Sequence, residues 1–401
     1  MRRARLDDPM IEGATLVRDL CSPAGDVLAR AGLGLTSRSI RALREYGAGV
    51  CFIDDAASIG VEMRPIVETL GEDAGLLRAL QDAASVIWKF VQAPSRQSTP
   101  RTVEALKDHR IIHALDATGA TDALRLAAAG FAERASKASG DSGFLTERQA
   151  ADDLYGHTMG VTALVARLGS DIGFHAQDLH NALMAALTHD IGMLMVPEEI
   201  RRTPLAQRTA AQQRRYEDHT LLGEAILRPL EKRQPAAPVV ALEHHEQQSG
   251  DGYPHGLSGG NRMLRNTSPD APKRIALISE VIAVADRYER MVSPAPGEPA
   301  LSPAAARRIL GSEAGAKLNA EVVGRFMDLV PQWPLGTEVV LQGGDHQGAR
   351  AIVVELNREQ ADRPTVRVFA APGGARVPPV DLALKNTPGV TLVIADDALA
   401  A

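Results

Sequence analysis

The sequence predicts a mainly α-helical protein with a small α+β module at its start and a small β-rich appendage at its end. Three observations predict this fold class. The first sixty residues alternate short apolar runs with turn residues, the middle of the chain repeats apolar residues at the helical period, and the chain beyond Pro334 changes to a period of two. We therefore expect four regions, at residues 1–60, 61–144, 145–330 and 331–401.

Composition places the chain among ordinary globular proteins, with 401 residues, 45% hydrophobic content and 23% charged residues. The net charge of -6 and the 3% aromatic content argue against a nucleic-acid polymer as partner, and the basic runs RRARL and QQRR are interpreted as solvated. Neither a membrane-spanning run nor an apolar leader is found. Together with the two cysteines, Cys21 and Cys51, this predicts a cytoplasmic protein without a membrane partner.

The predicted elements follow in order along the chain. In the first module, GATLVRDL, SPAGDVLARAG and GVCFIDD surround the helical SRSIRALREYG. Residues 61–144 are Ala- and Leu-rich with helical spacing, and plain packing helices are favoured over a dimerising or signal-transmitting segment, so a homodimer stays open. After a Pro-rich break, AAARRILGS and AEVVGRFMDLV are expected as helices. The expected strands of the appendage are GTEVVLQGG, ARAIVVELN, TVRVFAAPGG and VTLVIADD.

Histidines and an aspartate fall on the apolar stripes of the central predicted helices. His157 and His219 are each followed by apolar residues at helical spacing, so both imidazoles should point inward. Asp286 completes a stripe of three isoleucines. Burying an ionised carboxylate without a partner is costly, and a metal ion would compensate it. Each histidine alone is more often a core residue than a ligand, so the hypothesis rests on their joint placement.

The adjacent pair His189 and Asp190 stands between the apolar runs LMAALT and IGMLMVP, near the middle or end of a buried helix. Adjacent helical residues point about 100° apart, so the imidazole can take one ion while the carboxylate bridges two. Imidazole and carboxylate without thiolate suit iron, manganese, zinc or cobalt. Two such ions can hold a phosphate and activate a water, which is the chemistry of phosphoester hydrolysis. Neither a GxxxxGK[ST] loop nor a GxSxG elbow is present.

The order H, HD, H, HH, GYP and D resembles the HD-GYP branch of the HD phosphohydrolase superfamily. The likeness covers residues 145–294, where HDIGMLMVPEEI stands for HDIGK, HTLLG for HPxxG, HHEQQSGDGYPHGLSGG for HHExxDGxGYPxGLxG, and IAVADRYERM for the helix with a late aspartate. The resemblance implies an all-helical metal domain. It also implies a metal-dependent phosphodiesterase that hydrolyses a cyclic dinucleotide, above all cyclic di-GMP, through a metal-activated water.

The resemblance further implies two divalent ions, iron or manganese in preference to zinc, and a third ion if Asp153 contributes. Asp190 would bridge the ions and act catalytically with His189. An alternative for Asp153 is a helix-start acid on a solvated face. The implied metal ligands are His157, His189, Asp190, His219, His244, His245 and Asp286, with Asp153 as the added acid. The residues implied to bind the nucleotide are those of the GYP tripeptide, Gly252, Tyr253 and Pro254.

Departures from the family pattern bear on activity. The lysine of HDIGK is Met193, and a thioether cannot donate a charged hydrogen bond to a phosphate. The segment ERMVSPAPGEP replaces the family's DAL and basic pair, with Glu289 at the first acid and no basic residue expected before Arg307. The aspartate of HHExxD is Ser249, while Asp251 follows two places later. The preferred hypothesis is an active phosphodiesterase. The alternatives are a catalytically weak or inactive signalling module that binds a dinucleotide or a protein partner, and a nucleotidase acting on a mononucleotide or alarmone.

Overall fold

The computed structural model describes most of the first module, the helical centre and the appendage. The predicted helix at residues 74–91 and the polar loop at residues 265–273 lie outside the described residues. The mainly helical centre and the sheets near both ends agree with the predicted fold class. The described ranges are 2–17, 19–21, 27–46, 50–61, 98–107, 110, 117–137, 153–264, 274–293, 301–357 and 359–394.

The first module is a three-stranded antiparallel sheet in the order β1-β5-β2, with a β3-β4 hairpin and one helix beside it. Thr36 caps the helix by accepting a hydrogen bond from the backbone N–H of Ser39. Its strands and helix are β1 Arg2–Arg5, β2 Thr15–Leu16, β3 Leu20–Cys21, β4 Val27–Ala29, α1 Ser37–Glu45 and β5 Val50–Asp54. The run RRARL contains strand β1, which pairs with β5, and it buries Ala4 and Leu6, while the side chain of Arg5 is exposed. A strand with one solvated face can carry arginines there.

The centre of the chain is built from helices joined by short 3₁₀ turns, including Ile191–Met195. None of the helices in the described ranges is both long enough and apolar enough to cross a bilayer. The helices are α2 Thr99–Leu106, α3 Ala120–Lys137, α4 Asp153–Asp171, α5 Ala176–Thr188, α6 Glu198–Arg201, α7 Ala210–Glu217, α8 His219–Leu227, α9 Ala236–Glu243, α10 Leu277–Val292, α11 Pro303–Glu313 and α12 Ala320–Leu329.

Helix α4 lies at the centre of the largest core, against α3, α5, α10 and α12. Its predicted stripe is confirmed, since Val161, Leu164 and Leu168 are fully buried. On α10, Tyr288 meets Phe326 of α12 edge to face, with ring centroids 5.0 Å apart. Helices α4 and α10 pack against each other in this core, which brings together two of the helices that carry the predicted ligands.

A close backbone approach at Gly192 positions the turn after α5. A Cβ atom there would lie 1.9 Å from the carbonyl oxygen of His219 and 2.6 Å from the nitrogen of Gly223. Only a residue without a side chain allows this approach. The glycine therefore lets the turn that follows His189 and Asp190 lie directly on α8.

The appendage is a five-stranded antiparallel sheet in the order β10-β6-β7-β8-β9. Four strands match the predicted runs, and one was missed, because Pro378 and Pro379 argue against a strand. That strand lies at the edge of the sheet, and its pairing with the neighbouring strand is irregular near the two prolines. Prolines lack a backbone N–H group, and a strand tolerates this loss at a sheet edge or an irregularity. The strands are β6 Glu338–Gln342, β7 Arg350–Glu355, β8 Thr365–Ala370, β9 Arg376–Ala383 and β10 Thr391–Ile394.

The first module packs against the appendage, which the sequence did not predict. Phe52 of β5 shares an apolar cluster with Ile352 and Phe369. Arg350 bonds both Asp8 of the first module and Glu338 of β6. The first module and the appendage are thus held together by both apolar and charged contacts.

Candidate metal centre

Five structural elements deliver histidine and aspartate side chains to one place. They are α4, the end of α5 with its following turn, the start of α8, the end of α9, and α10. Two groups have ligand atoms within 4.8 Å of one another, one of Asp190, His219, His244 and His245, the other of His157, His189 and Asp190. Asp190 belongs to both groups. Asp286 joins the second group, with Oδ1 2.8 Å from Nε2 of His157.

Burial of these side chains follows the sequence prediction closely. The described ligand candidates are at most 4% exposed, apart from the half-buried His245. The α5 helix ends at Thr188, so His189 caps it and Asp190 begins the next turn. Ile275 lies before α10 and only the later part of the isoleucine stripe is helical. For Asp153, the structure places the start of α4 at this residue, and its side chain is not among the described ones.

Three imidazoles are held from behind by backbone carbonyls. A carbonyl oxygen can only accept, so Nδ1 carries the proton in each ring and Nε2 is left with a lone pair facing the centre. The bonds run from Nδ1 of His189 to the oxygen of Ala186 at 2.8 Å, of His219 to Tyr216 at 2.7 Å, and of His244 to Val240 at 2.9 Å.

The lone pairs of His219 and His244 converge on one carboxylate oxygen. Oδ1 of Asp190 lies 3.3 Å from Nε2 of His219 and 3.4 Å from Nε2 of His244, and the two nitrogens are 3.4 Å apart. Within the described residues, neither Asp190 Oδ1 nor His245 Nε2 has a hydrogen-bond partner. Buried acceptors that face one another without a proton are unfavourable unless a cation lies between them. This donor set therefore fits a divalent metal ion.

The second group is arranged differently, because positive charge already lies on its acids. Arg290 donates from Nε to Oδ1 of Asp286 and from Nη2 to Oδ2 of Asp190, both at 2.8 Å. His157 is bonded on both sides, by Asp286 at Nε2 and by Glu289 at Nδ1. The two halves of the centre thus differ in charge, although they share Asp190.

Sequence reasoning missed Arg290 and gave Glu289 no role. The expectation that no basic residue serves the site before Arg307 was wrong, since Arg290 contacts both aspartates. Arg307 instead donates to the carbonyls of Met327 and Val330, at the end of α12. The signal was present in the spacing, because Arg290 stands one helical turn after Asp286 and side chains four residues apart are neighbours on a helix.

Glu289 reaches His157 through a gap left by a glycine. A Cβ atom on Gly160 would lie 2.9 Å from Cγ of Glu289. Glu289 itself is fully buried between α4 and α10. The glycine one turn after His157 therefore makes room for the carboxylate that holds the imidazole.

Electrostatics divide the histidines into two kinds. Burial lowers the pKa of His219 to about 4 and holds that of His245 well below its usual range, so both rings stay neutral. Burial and Arg290 also act to lower the pKa of His157, but the carboxylates of Glu289 and Asp286 outweigh them and raise it. Burial alone would raise the pKa of Asp190 and Asp286, yet the neighbouring positive charges hold both well below the usual range.

The GYP loop closes over the first group. The ring of Tyr253 stacks on His245, with centroids 4.8 Å apart and planes inclined by 30°. Glu246 is buried and accepts from the backbone N–H groups of His255 and Leu257, which fixes the loop beyond the tyrosine. A Cβ atom on Gly252 would lie 2.4 Å from a backbone nitrogen, so the loop needs glycine there.

The loop is also tied to α10. Gln248 donates to Glu280 at 2.7 Å and accepts from the backbone N–H of Asn261 at 2.9 Å. Ser249 donates to Asp251 at 2.8 Å, so the serine at the family's aspartate position and the later aspartate form a local pair. Met193 is 4% exposed in the turn after Asp190.

A cluster of imidazole and carboxylate groups on converging helices is suited to binding divalent metal ions. Residues 139–322 of the chain match the family model described as HD domain. The resemblance drawn from the motifs is thereby confirmed. The HD domain implies divalent metal binding, and the two groups described above could hold such ions.

Proteins similar to this chain include two named as cyclic di-GMP phosphodiesterases. The one from Pseudomonas aeruginosa is 30% identical over 217 residues, which cover 54% of this chain and 47% of that protein. The one from Thermotoga maritima is 29% identical over 174 residues, which cover 43% of this chain and 44% of that protein. The match thus spans less than half the length of each relative. A solved structure described as a HDG"Y"P protein from Bdellovibrio bacteriovorus aligns at 14% identity with a TM-score of 0.40, covering 81% of this chain and 98% of that one.

Proposed function

We propose that the chain is a metal-dependent phosphodiesterase that hydrolyses a cyclic dinucleotide, with cyclic di-GMP as the first candidate. The observation that carries this proposal is the convergence of lone pairs on Oδ1 of Asp190, because it creates a buried position suited to a cation. The names of the two relatives support the choice of substrate class. The proposed HD-GYP domain spans residues 145–330, between the modules at 1–60 and 331–401 and the segment at 61–144.

Two divalent ions would be shared by the two groups, with Asp190 as the bridge and Asp286 completing the second. Imidazole and carboxylate donors favour iron or manganese, and zinc also accepts this set. Bound ions would neutralise phosphate charge and make a water nucleophilic at neutral pH. Asp153 would add a ligand to a third ion. The proposed ligands are His157, His189, Asp190, His219, His244, His245 and Asp286.

The chain's own residues would orient the substrate beside this centre. Tyr253 lies against His245 and offers both a ring face and a hydroxyl group to a nucleotide. Burial keeps that hydroxyl protonated by raising its pKa well above the usual value, so it can donate a hydrogen bond. Gly252 and Pro254 shape the loop that presents the ring, and Glu246 holds the loop in place.

The proposal is tested by metal analysis combined with a hydrolysis assay. Purified protein loaded with Mn²⁺ or, without oxygen, with Fe²⁺ is expected to cleave cyclic di-GMP, and Asp190→Ala is expected to lose both metal and activity. Asp122→Ala, on an exposed part of α3, is the matched control and should retain both. Metal-loaded protein that leaves cyclic di-GMP and cyclic GMP-AMP intact would contradict the proposal.

A second candidate function is a catalytically weak or inactive signalling module that binds a dinucleotide or a protein partner, as a monomer or homodimer. The observation that favours it is Met193, which removes a cation from the expected phosphate contact. This alternative predicts a measurable dissociation constant for cyclic di-GMP without product. A nucleotidase would instead release product from a mononucleotide or alarmone, which mass spectrometry of a nucleotide panel would detect.

A further inference from the structure

The two halves of the centre differ in the positive charge beside their carboxylates, and the types of ligand do not explain this difference. In the half formed by Asp190 Oδ1 with His219, His244 and His245, neither that oxygen nor Nε2 of His245 has a hydrogen-bond partner among the described residues. The half formed by His157, His189 and Asp286 shares its carboxylate oxygens with the guanidinium of Arg290. The positive charge of Arg290 therefore already lies beside the carboxylates that a second ion would use as ligands.

We infer that Arg290 is a built-in cation that makes the two metal positions unequal, so that the His219 half binds its ion tightly and the His157 half binds its ion weakly. This inference rests on the proposed function, since it assumes that the seven side chains are metal ligands. It concerns how many ions the protein holds at a given metal concentration.

Two features support this role for Arg290. The guanidinium spans both acids in a fixed fork, with one N–H bond to each at 2.8 Å, so it competes for the oxygen atoms as well as for their charge. Its side chain is 30% exposed, whereas the acids are almost fully buried, so the arginine can turn toward solvent when an ion enters. A divalent ion that enters beside the guanidinium must overcome like-charge repulsion in a buried setting, where such repulsion is strong.

The same helix offers a matched control. Arg287 lies three residues before Arg290 and makes a two-bond contact of the same kind, with Glu313, at 2.8 Å for both bonds. That contact is made with Glu313 and not with Asp190 or Asp286. Replacing Arg287 removes an arginine from α10 and leaves the two bonds of Arg290 to the aspartates in place.

The test measures Mn²⁺ binding to the chelator-treated full chain by calorimetry, with bound metal counted by mass spectrometry. The wild-type protein is expected to take up one ion tightly and a second at least about ten-fold more weakly. Arg290→Gln should bring the two dissociation constants together, Arg290→Lys should keep them apart because it keeps the charge, and Arg287→Gln should behave as the wild type. Electron paramagnetic resonance gives a second readout, since a lone Mn²⁺ ion and a coupled pair have different spectra.

Arg290→Gln leaves two buried acids without their cation and should lower the melting temperature of the metal-free protein. Added Mn²⁺ should then raise the melting temperature more than in the wild type, which keeps the test usable even if the variant is unstable. Two equal ions in the wild type, or unchanged constants in Arg290→Gln, would overturn the inference while leaving the metal centre itself intact. No Mn²⁺ binding in any of the proteins would overturn both the inference and the proposed function.

Discussion

Glu289 bonds Nδ1 of His157, a residue 132 positions earlier in the chain, and so replaces the backbone carbonyl that holds three of the other histidines. A carboxylate behind an imidazole orients the ring and makes it a stronger metal ligand. It also adds negative charge to the half of the centre that contains Arg290. The pair thus couples α4 and α10 at the point where the second ion would be bound.

Glu289→Gln is therefore expected to weaken metal binding and hydrolysis by about 10- to 100-fold with little change in fold, because the amide keeps the shape and loses the charge. Metal titration and steady-state kinetics measure the effect, and circular dichroism checks the fold. Glu198→Gln, at an exposed position of α6, is the control. Equal metal affinity in Glu289→Gln and the wild type would show that the carboxylate does not support His157.

Gly192→Ala is expected to cost more than about 3 kcal/mol of unfolding free energy, because its Cβ atom would meet the backbone of α8 at 1.9 Å. The clash lies between the turn after Asp190 and the start of α8, so metal binding should be lost as well. Chemical denaturation and metal analysis measure both effects.

Gly324→Ala is the control for that substitution. Gly324 lies exposed in α12, and no atom lies within 4 Å of the position that a Cβ atom would take, so alanine should stabilise the helix by up to about 1 kcal/mol. Similar losses of stability in both alanine variants would contradict the packing argument for Gly192.

The metal-free protein should lose stability as the pH falls from 6.5 to about 4. Burial lowers the pKa of His219 to about 4, so in this pH window the unfolded chain binds a proton at this residue and the folded chain does not. The loss from this residue amounts to about 3 kcal/mol. His157 acts in the opposite sense, because its raised pKa gives stability that is present below pH 6.5 and lost as the pH rises through its folded value.

Urea unfolding of chelator-treated protein across that pH window measures the slope. His219→Gln removes the titrating group, so its stability should depend less on pH than that of the wild type. A wild-type stability that stays constant down to about pH 4 would contradict the buried, neutral state of His219.

Met193→Lys is expected to raise the turnover number by about ten-fold or more, because it restores a cation in the turn beside Asp190 where a phosphate could be contacted. The lysine would also lower the melting temperature, since Met193 is 4% exposed and a buried ammonium is costly. Met193→Leu is the control, with stability and rate near those of the wild type. An unchanged rate in Met193→Lys would show that the missing cation does not limit hydrolysis.

Arg350→Gln should destabilise the contact between the first module and the appendage. The arginine is 17% exposed and bonds two acids that are 8% and 12% exposed, so its removal takes a positive charge away from both carboxylates, at a cost of about 2 to 3 kcal/mol. Hydrogen exchange in β1 and β6 measures the loss. Arg202→Gln, from an exposed pair with Glu198, should change stability by less than about 0.5 kcal/mol.

Much of the candidate site could be predicted without a structure. The positions of His157 and His219 on buried stripes follow from helical spacing, because a local period decides which face of a helix is apolar. Strand β9 could not be predicted, since its prolines are tolerated only through its place at the sheet edge. The contact of Arg350 with Asp8 joins residues 342 positions apart, and no local pattern encodes that distance.

The sequence by itself determined the helical centre and predicted the candidate metal ligands and the resemblance to HD domains, because residue type, spacing and motif order are properties of the chain. Only the tertiary structure decided how charge is distributed among those ligands. Glu289 and Arg290 are adjacent in sequence, yet one holds His157 and the other bridges Asp190 and Asp286. The physical reason is that charge compensation depends on which side chains meet across helices, and packing alone sets that.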